Sequence, residues 1–337
     1  MSTQRREGPF NGDILNSGDA FWRAYIETRA SPSEAFFKLI NNYHKQNGNP
    51  CSAVAHDVGT GPGNIARRLL PYFDHVVGSD VNEKALDAAR ALIPADDLRH
   101  MTFVACPAEA LARAPLLPEH AGPGKTDLVV VSECMPLLDA PRAMEAFHAL
   151  LRPGGTLAIY FYGRPVFVGE RAATYNAMYG AIAAAAHRCL HPLQGSPSFA
   201  AYHRSATTLC SWLDNVEVPP ASWERVERRK WNNDHNLAFS GPEGYDFEFG
   251  AVDRTHAAET KVEAIDREFW GAEMGVDRLV AYLGSALLGY RDRPETADQV
   301  VKVDELIQEL KVAMGDEDSK KARVTFTVSL ILATKTA

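Results

Sequence analysis

The 337-residue sequence has few of the features that mark secreted, membrane-spanning or nucleic-acid-binding proteins. Its five cysteines are scattered and none forms a Cys-x-x-Cys pair, which disfavours a disulfide framework and predicts a reducing compartment. No apolar run approaches the roughly 20 residues of a membrane span, and the first ten residues are polar, unlike a signal peptide. We therefore expect a cytoplasmic protein that does not enter a membrane.

Positive charge is scarce as well. Lysine and arginine number 35 against 43 aspartates and glutamates, which gives a formal net charge of -8. Such a chain has no general attraction to phosphate backbones or anionic lipid surfaces. We expect a small-molecule partner, with no nucleic acid and no membrane, and the sequence leaves a monomer and a homodimer equally open.

The sequence does contain a regular alternation of apolar strands and helical segments between residues 50 and 163. The strand segments read "SAVAHDVG", "HVVGSD", "MTFVAC", "TDLVVVSEC" and "GTLAIYFYG". Nearly continuous apolar strands separated by helices predict a parallel sheet that is covered on both faces. A long segment with helical patterns at 165–215, 261–290 and 300–314 follows, and the chain closes on the alternating strand "ARVTFTVSLILATK".

The stretch "HDVGTGPGN", from His56 to Asn64, joins the first predicted strand to the first helix of this alternation. Glycines let the backbone approach a ligand there, and the helix N-terminus faces the same crevice. Asp80, at the end of the second strand, suits two ribose hydroxyls. The spacing is G-x-G-x-G, with Asn64 where a dinucleotide fingerprint needs its last glycine, and Asp57 favours a cationic ligand over a diphosphate. S-adenosylmethionine (SAM) has a sulfonium, an ammonium and a ribose but no phosphate, so it is the expected cofactor.

Three segments resemble the class I SAM-dependent methyltransferases. They are "HDVGTGPGNIARRLLPYFDHVVGSDVNEKAL", "CPAEAL" and "ALLRPGGTLAIY", and together they lie within about 50–163. The segments "YIETRASPSEAFFKLINNYH" and "VSLILATK" resemble a narrower group, the trans-aconitate and fungal cantharidin-type small-molecule methyltransferases. The resemblance implies methylation of a small organic acceptor on oxygen or sulfur, such as a carboxylic acid or a secondary metabolite.

The resemblance also implies a role for particular residues in binding the cofactor. Gly59, Thr60 and Gly61 would line its methionine and ribose, with Asp57 near the amino-acid end and Asp80 on the ribose. Val81, Ala108 and Glu109 would surround the adenine. Ser132 and Glu133 would end strand four under the sulfonium, and Tyr25 and Arg29 would close over the cofactor, the guanidinium pairing with its carboxylate. The full set of expected cofactor-binding residues is Tyr25, Arg29, Asp57, Gly59, Thr60, Gly61, Asp80, Val81, Ala108, Glu109 and Ser132.

No catalytic residue is obligatory in this pattern, because methyl transfer from a sulfonium is an in-line displacement that depends mainly on positioning. An alcohol or amine acceptor could use a general base, for which Tyr25 and His148 are the candidates, with packing as the alternative role of each. His187 and His191 are four residues apart, but no cysteine or carboxylate near them in the sequence completes a metal site, so we expect no metal.

These observations predict an α/β fold with a doubly wound, mostly parallel, seven-stranded Rossmann-like sheet and a helical cap inserted after strand five. The expected domains are an N-terminal arm and helices over the cofactor (1–49), a SAM-binding core (50–163), a helical cap and substrate region (164–320) and a closing strand of the core sheet (321–337). Two alternatives remain open at this point, a nicotinamide-dependent oxidoreductase and a non-catalytic methyltransferase-like binding module.

Overall fold

A computed structural model of the protein describes residues 19–114, 117–196, 198–287, 289–315 and 320–336. Residues 1–18, which begin the expected N-terminal arm, lie outside the described residues. The helices are α1 (Asp19–Thr28), α2 (Glu34–Asn47), α3 (Asn64–Leu69), α4 (Glu83–Leu92), α5 (Ala95–Leu98), α6 (Ala140–Leu150), α7 (Ala172–Arg188), α8 (Phe199–Cys210), α9 (Val276–Ala286) and α10 (Ala297–Met314). The strands are β1 (Val54–Val58), β2 (His75–Asp80), β3 (Met101–Ala105), β4 (Thr126–Ser132), β5 (Leu151–Phe167), β6 (Trp223–Trp231), β7 (Thr260–Ala264), β8 (Ala272–Met274) and β9 (Ala322–Lys335).

One mixed sheet holds all nine of these strands, in the order β3-β2-β1-β4-β5-β9-β6-β7, with β8 paired to β9. Strands β1 to β5 run parallel, and β9 is antiparallel to β5, β6 and β8. The strand order reverses between β1 and β4, so the carboxyl ends of these two strands flank the crevice in which such sheets bind ligands. The doubly wound, mostly parallel α/β architecture is as predicted, whereas the sheet has nine strands where seven were expected.

The two faces of strand β4 show why the parallel part of the sheet reads as continuous apolar sequence. Leu128 and Val130 pack into one core cluster with Phe37 of α2. Val129 and Val131 point the other way, into a second cluster with side chains of α6. Because both faces are covered, every residue of β4 is buried and no alternation of polar residues appears.

The segment between β5 and β9 is not purely helical. Helices α7 and α8 confirm the pattern at 165–215, and α10 lies at the expected place. The helical pattern predicted from residue 261 is wrong in its first half, since β7 and β8 occupy 260–264 and 272–274 and α9 begins only at Val276. Strands β6 and β7 extend the sheet beyond β9, and β8 pairs with β9, so this segment contributes three strands, two more than the expected total of seven allows. No helix among the described residues is long and apolar enough to cross a membrane.

Candidate functional site

The glycine loop follows β1 and enters α3 directly. Gly59 and Gly61 have φ angles of 69° and 54°, a left-handed conformation that side chains disfavour. A Cβ atom on Gly59 would lie 2.6 Å from the Cys134 sulfur, whereas a Cβ on Gly61 would meet no atom within 4 Å. Gly59 is therefore required for packing under the loop, and Gly61 exposes its backbone to open space in front of the sheet.

The carboxylate of Asp80 at the end of β2 faces this loop. One carboxylate oxygen accepts a hydrogen bond from the Gly61 N–H and the other accepts one from the Asn82 N–H, each at 2.9 Å. Two backbone donors hold the side chain in a fixed orientation. Burial raises the pKa of Asp80, and the same N–H groups act to lower it. The carboxylate is thus oriented at the edge of the crevice with further lone pairs to offer a ligand.

Asp57 lies one layer deeper and is completely buried. One of its carboxylate oxygens accepts a 2.7 Å hydrogen bond from the Thr60 hydroxyl, and the other has no hydrogen-bond partner within the described part of the chain. Burial raises the pKa of Asp57 to about 7. A cation brought near this carboxylate would favour its ionised form.

Helix α1 packs against α4 and α9, and a largely buried ion pair holds the chain just beyond its C-terminal end. The Arg29 guanidinium, just beyond α1, donates to Glu133 at 2.6 Å, and the other Glu133 oxygen accepts the Tyr162 N–H at 2.7 Å. The guanidinium also lies 5.2–5.6 Å from the ring centroids of Tyr25, Tyr162 and Tyr282. Burial raises the pKa of Glu133 to about 7, against the opposing effect of the Arg29 charge.

The backbone at Glu133 is itself unusual. Its φ angle is 63°, in the left-handed region, directly after β4 ends at Ser132. A non-glycine residue in this conformation is uncommon and concentrates at functional sites. The Glu133 carboxylate reaches Arg29, just beyond α1, and Ser132 and Glu133 border the same cavity.

Residues after β2 and β3 form the outer edge of the crevice. Val81, next to Asp80, is 64% exposed, which is unusual for a large apolar side chain. Ala108 is buried and begins a short 3-10 helix, on which Glu109 accepts the Asp139 N–H at 3.0 Å. Glu109 is thereby linked to Asp139, whose side chain caps α6. The apolar surface of Val81 is not covered by these contacts.

A single cavity of about 890 Å³ connects these groups. All eleven residues expected to bind the cofactor line it, namely Tyr25, Arg29, Asp57, Gly59, Thr60, Gly61, Asp80, Val81, Ala108, Glu109 and Ser132. His148 is not among its lining residues and instead packs on Trp223, with ring centroids 5.4 Å apart. The two candidate bases are therefore separated, and only Tyr25 lies in the cavity.

Sequence reasoning did not identify Trp22 and Tyr162 as wall residues, or Glu133 as the partner of Arg29. Trp22 belongs to α1 with Tyr25, and Arg29 follows just beyond the helix. Their spacing of i, i+3 and i+7 is the signal that could have predicted one shared helical face. Glu133 and Tyr162 carry no such local signal as partners of Arg29, because more than a hundred residues of chain separate them from it.

The far half of the cavity is mostly apolar and aromatic and comes from the segment between β5 and β9. Its lining includes Leu190, Leu193, Tyr202, Leu209, Phe239 and Tyr245. Trp231 and Trp270, which belong to the same segment, are not among the lining residues. Trp231 stacks on Phe269 with centroids 4.5 Å apart, and Trp270 packs on Phe36 at 4.9 Å, so both are core residues.

A doubly wound sheet with a glycine loop after β1, an oriented carboxylate after β2 and a ligand cavity at the carboxyl ends of its parallel strands defines the class I SAM-dependent methyltransferases. Residues 55–155 match the family model described as a methyltransferase domain. Methyltransferase ptaI of Pestalotiopsis fici is 49% identical over 332 residues, covering 98% of this chain and 97% of that protein. Methyltransferase cfoB of Aspergillus candidus is 34% identical, covering 96% and 97% respectively. The chain therefore belongs to this family, and it is a SAM-dependent methyltransferase rather than a nicotinamide-dependent oxidoreductase.

The fold also has a relative among solved structures. A protein assigned as a type II methyltransferase from Anaeromyxobacter dehalogenans superimposes with a TM-score of 0.52 at 18% sequence identity. The match covers 90% of this chain and 97% of the other. At this identity the likeness concerns the architecture alone.

Proposed function

We propose that the protein transfers a methyl group from SAM to oxygen or sulfur of a small organic acceptor, and that both molecules bind in the cavity described above. The observation that carries the proposal is the continuity of this cavity. Its lining joins the glycine loop and Asp80 on one side to an apolar, aromatic wall on the other. Ligand sites of enzymes are typically mostly apolar clefts of this size with a few oriented polar groups.

The residues present fit SAM in three independent respects. The backbone around Gly61 borders open space, so a ligand can approach it closely. The buried Asp57 has an unpartnered carboxylate oxygen, as expected beside a cationic group. Val81 presents an uncovered apolar surface next to Asp80, where a purine ring attached to a ribose would lie.

The roles follow from these positions. Asp80 would accept the ribose hydroxyls, and Val81, Ala108 and Glu109 would surround the adenine. Asp57 would lie near the amino-acid end of the cofactor. Arg29 is already paired with Glu133, so a cofactor carboxylate would have to share the guanidinium with Glu133.

SAM supplies an electrophilic methyl group on its sulfonium. The chain itself contributes position and exclusion of water. The loop, Asp80 and the Arg29–Glu133 pair would hold one molecule against the sheet, and the aromatic wall would hold the acceptor in line with it. Correct alignment alone supplies a large part of the rate in such displacements.

The acceptor is expected to be small. The net charge of -8 gives no general attraction to nucleic acids. Helices α7 and α8 and the loop around Tyr245 close the far side of the cavity, which leaves space for a compact molecule. A secondary metabolite or a small acid fits this description, and a polypeptide tail or a polynucleotide does not.

The proposal is tested by incubating the protein with methyl-labelled SAM and a cell extract from its source, then separating small molecules from macromolecules. We expect label in a small-molecule product, and we expect an Asp80→Asn variant to lose most of it. Label found only on macromolecules would refute the proposed acceptor class.

A further inference from the structure

Three polar side chains form a connected cluster in the far half of the cavity, among its apolar residues. His187 near the end of α7 lies with Nδ1 3.0 Å from the Ala183 carbonyl oxygen and 3.0 Å from the Ser240 hydroxyl. Its Nε2 lies 3.1 Å from the Tyr245 hydroxyl. His187 and Tyr245 both line the cavity, and His187 is almost completely buried.

The hydrogen-bond partners determine the tautomer of His187. A carbonyl oxygen can only accept, so Nδ1 must carry a proton and donate it to Ala183. Burial lowers the pKa of His187 to about 4, so the ring is neutral near pH 7 and Nε2 is an acceptor. The Tyr245 hydroxyl must therefore donate its proton to Nε2, and its oxygen retains the capacity to accept a hydrogen bond.

The cluster shares its cavity with Ser132 at the end of β4. Helix α8, which contributes Tyr202 and Leu209 to the cavity wall, packs on the short 3-10 helix Met135–Leu137 that follows β4. On the other side, Phe239 precedes Ser240, and its ring lies 5.3 Å from that of Tyr282. Tyr282 in turn lies beside the Arg29 guanidinium. The cluster is thus linked to the site of the Arg29–Glu133 pair through the rings of Phe239 and Tyr282.

We propose that Tyr245 binds the acceptor through a hydrogen bond from the acceptor's own O–H or S–H group to the Tyr245 oxygen, and that His187 is a positioning residue which fixes the Tyr245 proton on the opposite side. This inference rests on the proposed function and specifies how that site recognises its acceptor. The Tyr245 oxygen accepts a hydrogen bond from one fixed direction and lies in an apolar wall. It therefore selects a methyl acceptor that presents a proton-bearing atom to this oxygen. A molecule without that proton leaves this lone pair of the Tyr245 oxygen without a partner.

Three features favour this role over a purely structural one. The Tyr245 ring is only half-buried and contributes to the cavity wall. The cluster is neutral, because burial lowers the pKa of His187 and raises the pKa of Tyr245, so it offers orientation rather than charge. The neighbouring Tyr202 side chain also lines the cavity, and its buried hydroxyl has no hydrogen-bond partner among the residues that the structure describes. Unsatisfied buried hydroxyls are rare unless a ligand or water completes them.

The experiment compares two probes of the same skeleton, 2-naphthol and 2-methoxynaphthalene, by equilibrium binding to the whole protein. The two differ in the proton that Tyr245 is proposed to accept. Binding is measured with the protein saturated in S-adenosylhomocysteine (SAH), the demethylated product of SAM, and again without it. SAH affinity is measured separately for every variant.

The variants isolate one hydrogen bond at a time. Tyr245→Phe keeps the ring that packs on Phe247 and Phe249 and removes only the hydroxyl. His187→Gln supplies a carbonyl oxygen that can still accept the Tyr245 proton, whereas His187→Leu cannot. Tyr175→Phe is the matched control, because its hydroxyl bonds to the Ala313 carbonyl and lies outside the cavity.

We expect the wild type and Tyr175→Phe to bind 2-naphthol about tenfold more tightly than 2-methoxynaphthalene, as the loss of one good hydrogen bond implies. Tyr245→Phe and His187→Leu should lose this preference with unchanged SAH affinity, and His187→Gln should recover part of it. A wild type without the preference, or a Tyr245→Phe variant that keeps it, would overturn the inference. Absence of SAH binding in the wild type would instead contradict the proposed function, while the probe comparison without SAH would still decide the role of Tyr245.

Discussion

At the scale of single residues, Asp80 is the group whose geometry most closely matches a ligand role. Its two oxygens are held by the N–H groups of Gly61 and Asn82. These donors fix the carboxylate without neutralising it. The same side chain can therefore present its remaining lone pairs to two adjacent hydroxyls, as a ribose offers.

Asp80→Asn should weaken SAH binding at least tenfold while leaving the fold intact. The amide keeps the size and one acceptor, but a hydrogen bond to a charged group contributes roughly 1.5–3 kcal/mol and that charge is lost. Titration calorimetry with SAH measures the change. Asp96→Asn, at an exposed carboxylate paired with Arg99, is the control and should bind as the wild type does. If Asp80→Asn bound SAH as tightly as the wild type does, the role of Asp80 would be limited to the turn after β2.

The buried carboxyl group of Asp57 should make the stability of the folded protein depend on pH. It is an acid whose pKa in the folded protein is raised from 3.8 to about 7. The folded chain therefore holds a proton that the unfolded chain releases, and the contribution of this group to stability is lost as pH rises from about 4 through about 7.

Asp57→Asn removes that titration and retains an acceptor for the Thr60 hydroxyl. The variant should therefore gain stability relative to the wild type as pH rises across this window. Urea unfolding at several values between pH 4.5 and pH 7.5 gives the difference in free energy. A difference that stays constant with pH would show that Asp57 is ionised in the folded protein throughout.

At the scale of elements, α1 forms one wall of the cavity, and the Arg29–Glu133 pair fastens its C-terminal end to the sheet. Arg29 and Glu133 are 9% and 15% exposed, so this is a buried pair, unlike the surface pair of Arg99 and Asp96. Removing one partner of a buried pair leaves the other charge unpaired in a poorly solvated place.

Arg29→Met should destabilise the protein by about 3 kcal/mol, and Glu133→Gln in the same chain should recover part of the loss. Arg99→Met should change the free energy of unfolding by less than about 0.5 kcal/mol, since exposed pairs contribute little. Chemical denaturation of Arg29→Met, Glu133→Gln, the double variant and the Arg99→Met control gives the free energies of unfolding for a double-mutant cycle. Additive effects of the two substitutions would show that the pair is not coupled.

The elements also show which parts of the fold can be predicted from the sequence. Strands β2 and β9 have the predicted limits, because continuous apolar runs and alternation are local patterns. The sequence pattern predicts helix where β7 and β8 lie, because five and three residues are too few to show a period and their pairing partners lie far along the chain. The same limit applies to the site. The glycine loop is contiguous and was predicted, whereas the contact of Arg29 with Glu133 depends on the fold of the whole chain.

At the scale of the whole molecule, the cavity is enclosed by parts of the chain that are remote in sequence. Helix α1, the carboxyl ends of β1 to β4, helices α7 and α8 and the turn after α9 all contribute to its lining. A ligand that fills it contacts each of these parts at once. Binding should therefore stabilise the native state as a unit and not only the loop that it touches.

SAH at a hundredfold excess over its dissociation constant should stabilise the folded protein by about 2.7 kcal/mol, which is the mass-action value for one site. Thermal denaturation with and without SAH measures this as an increase in Tm. NADH at the same concentration serves as the control and should leave Tm unchanged. A shift with NADH and none with SAH would be inconsistent with the assigned cofactor.

The most direct test of the account is a crystal structure of the protein grown with saturating SAH. We predict density for SAH in this cavity, with the ribose hydroxyls on Asp80, the adenine against Val81 and the amino-acid end toward Asp57. The aromatic space around Tyr245 should remain free for the acceptor. Density for SAH at any other place, or in this cavity with its ribose away from Asp80, would contradict the central claim.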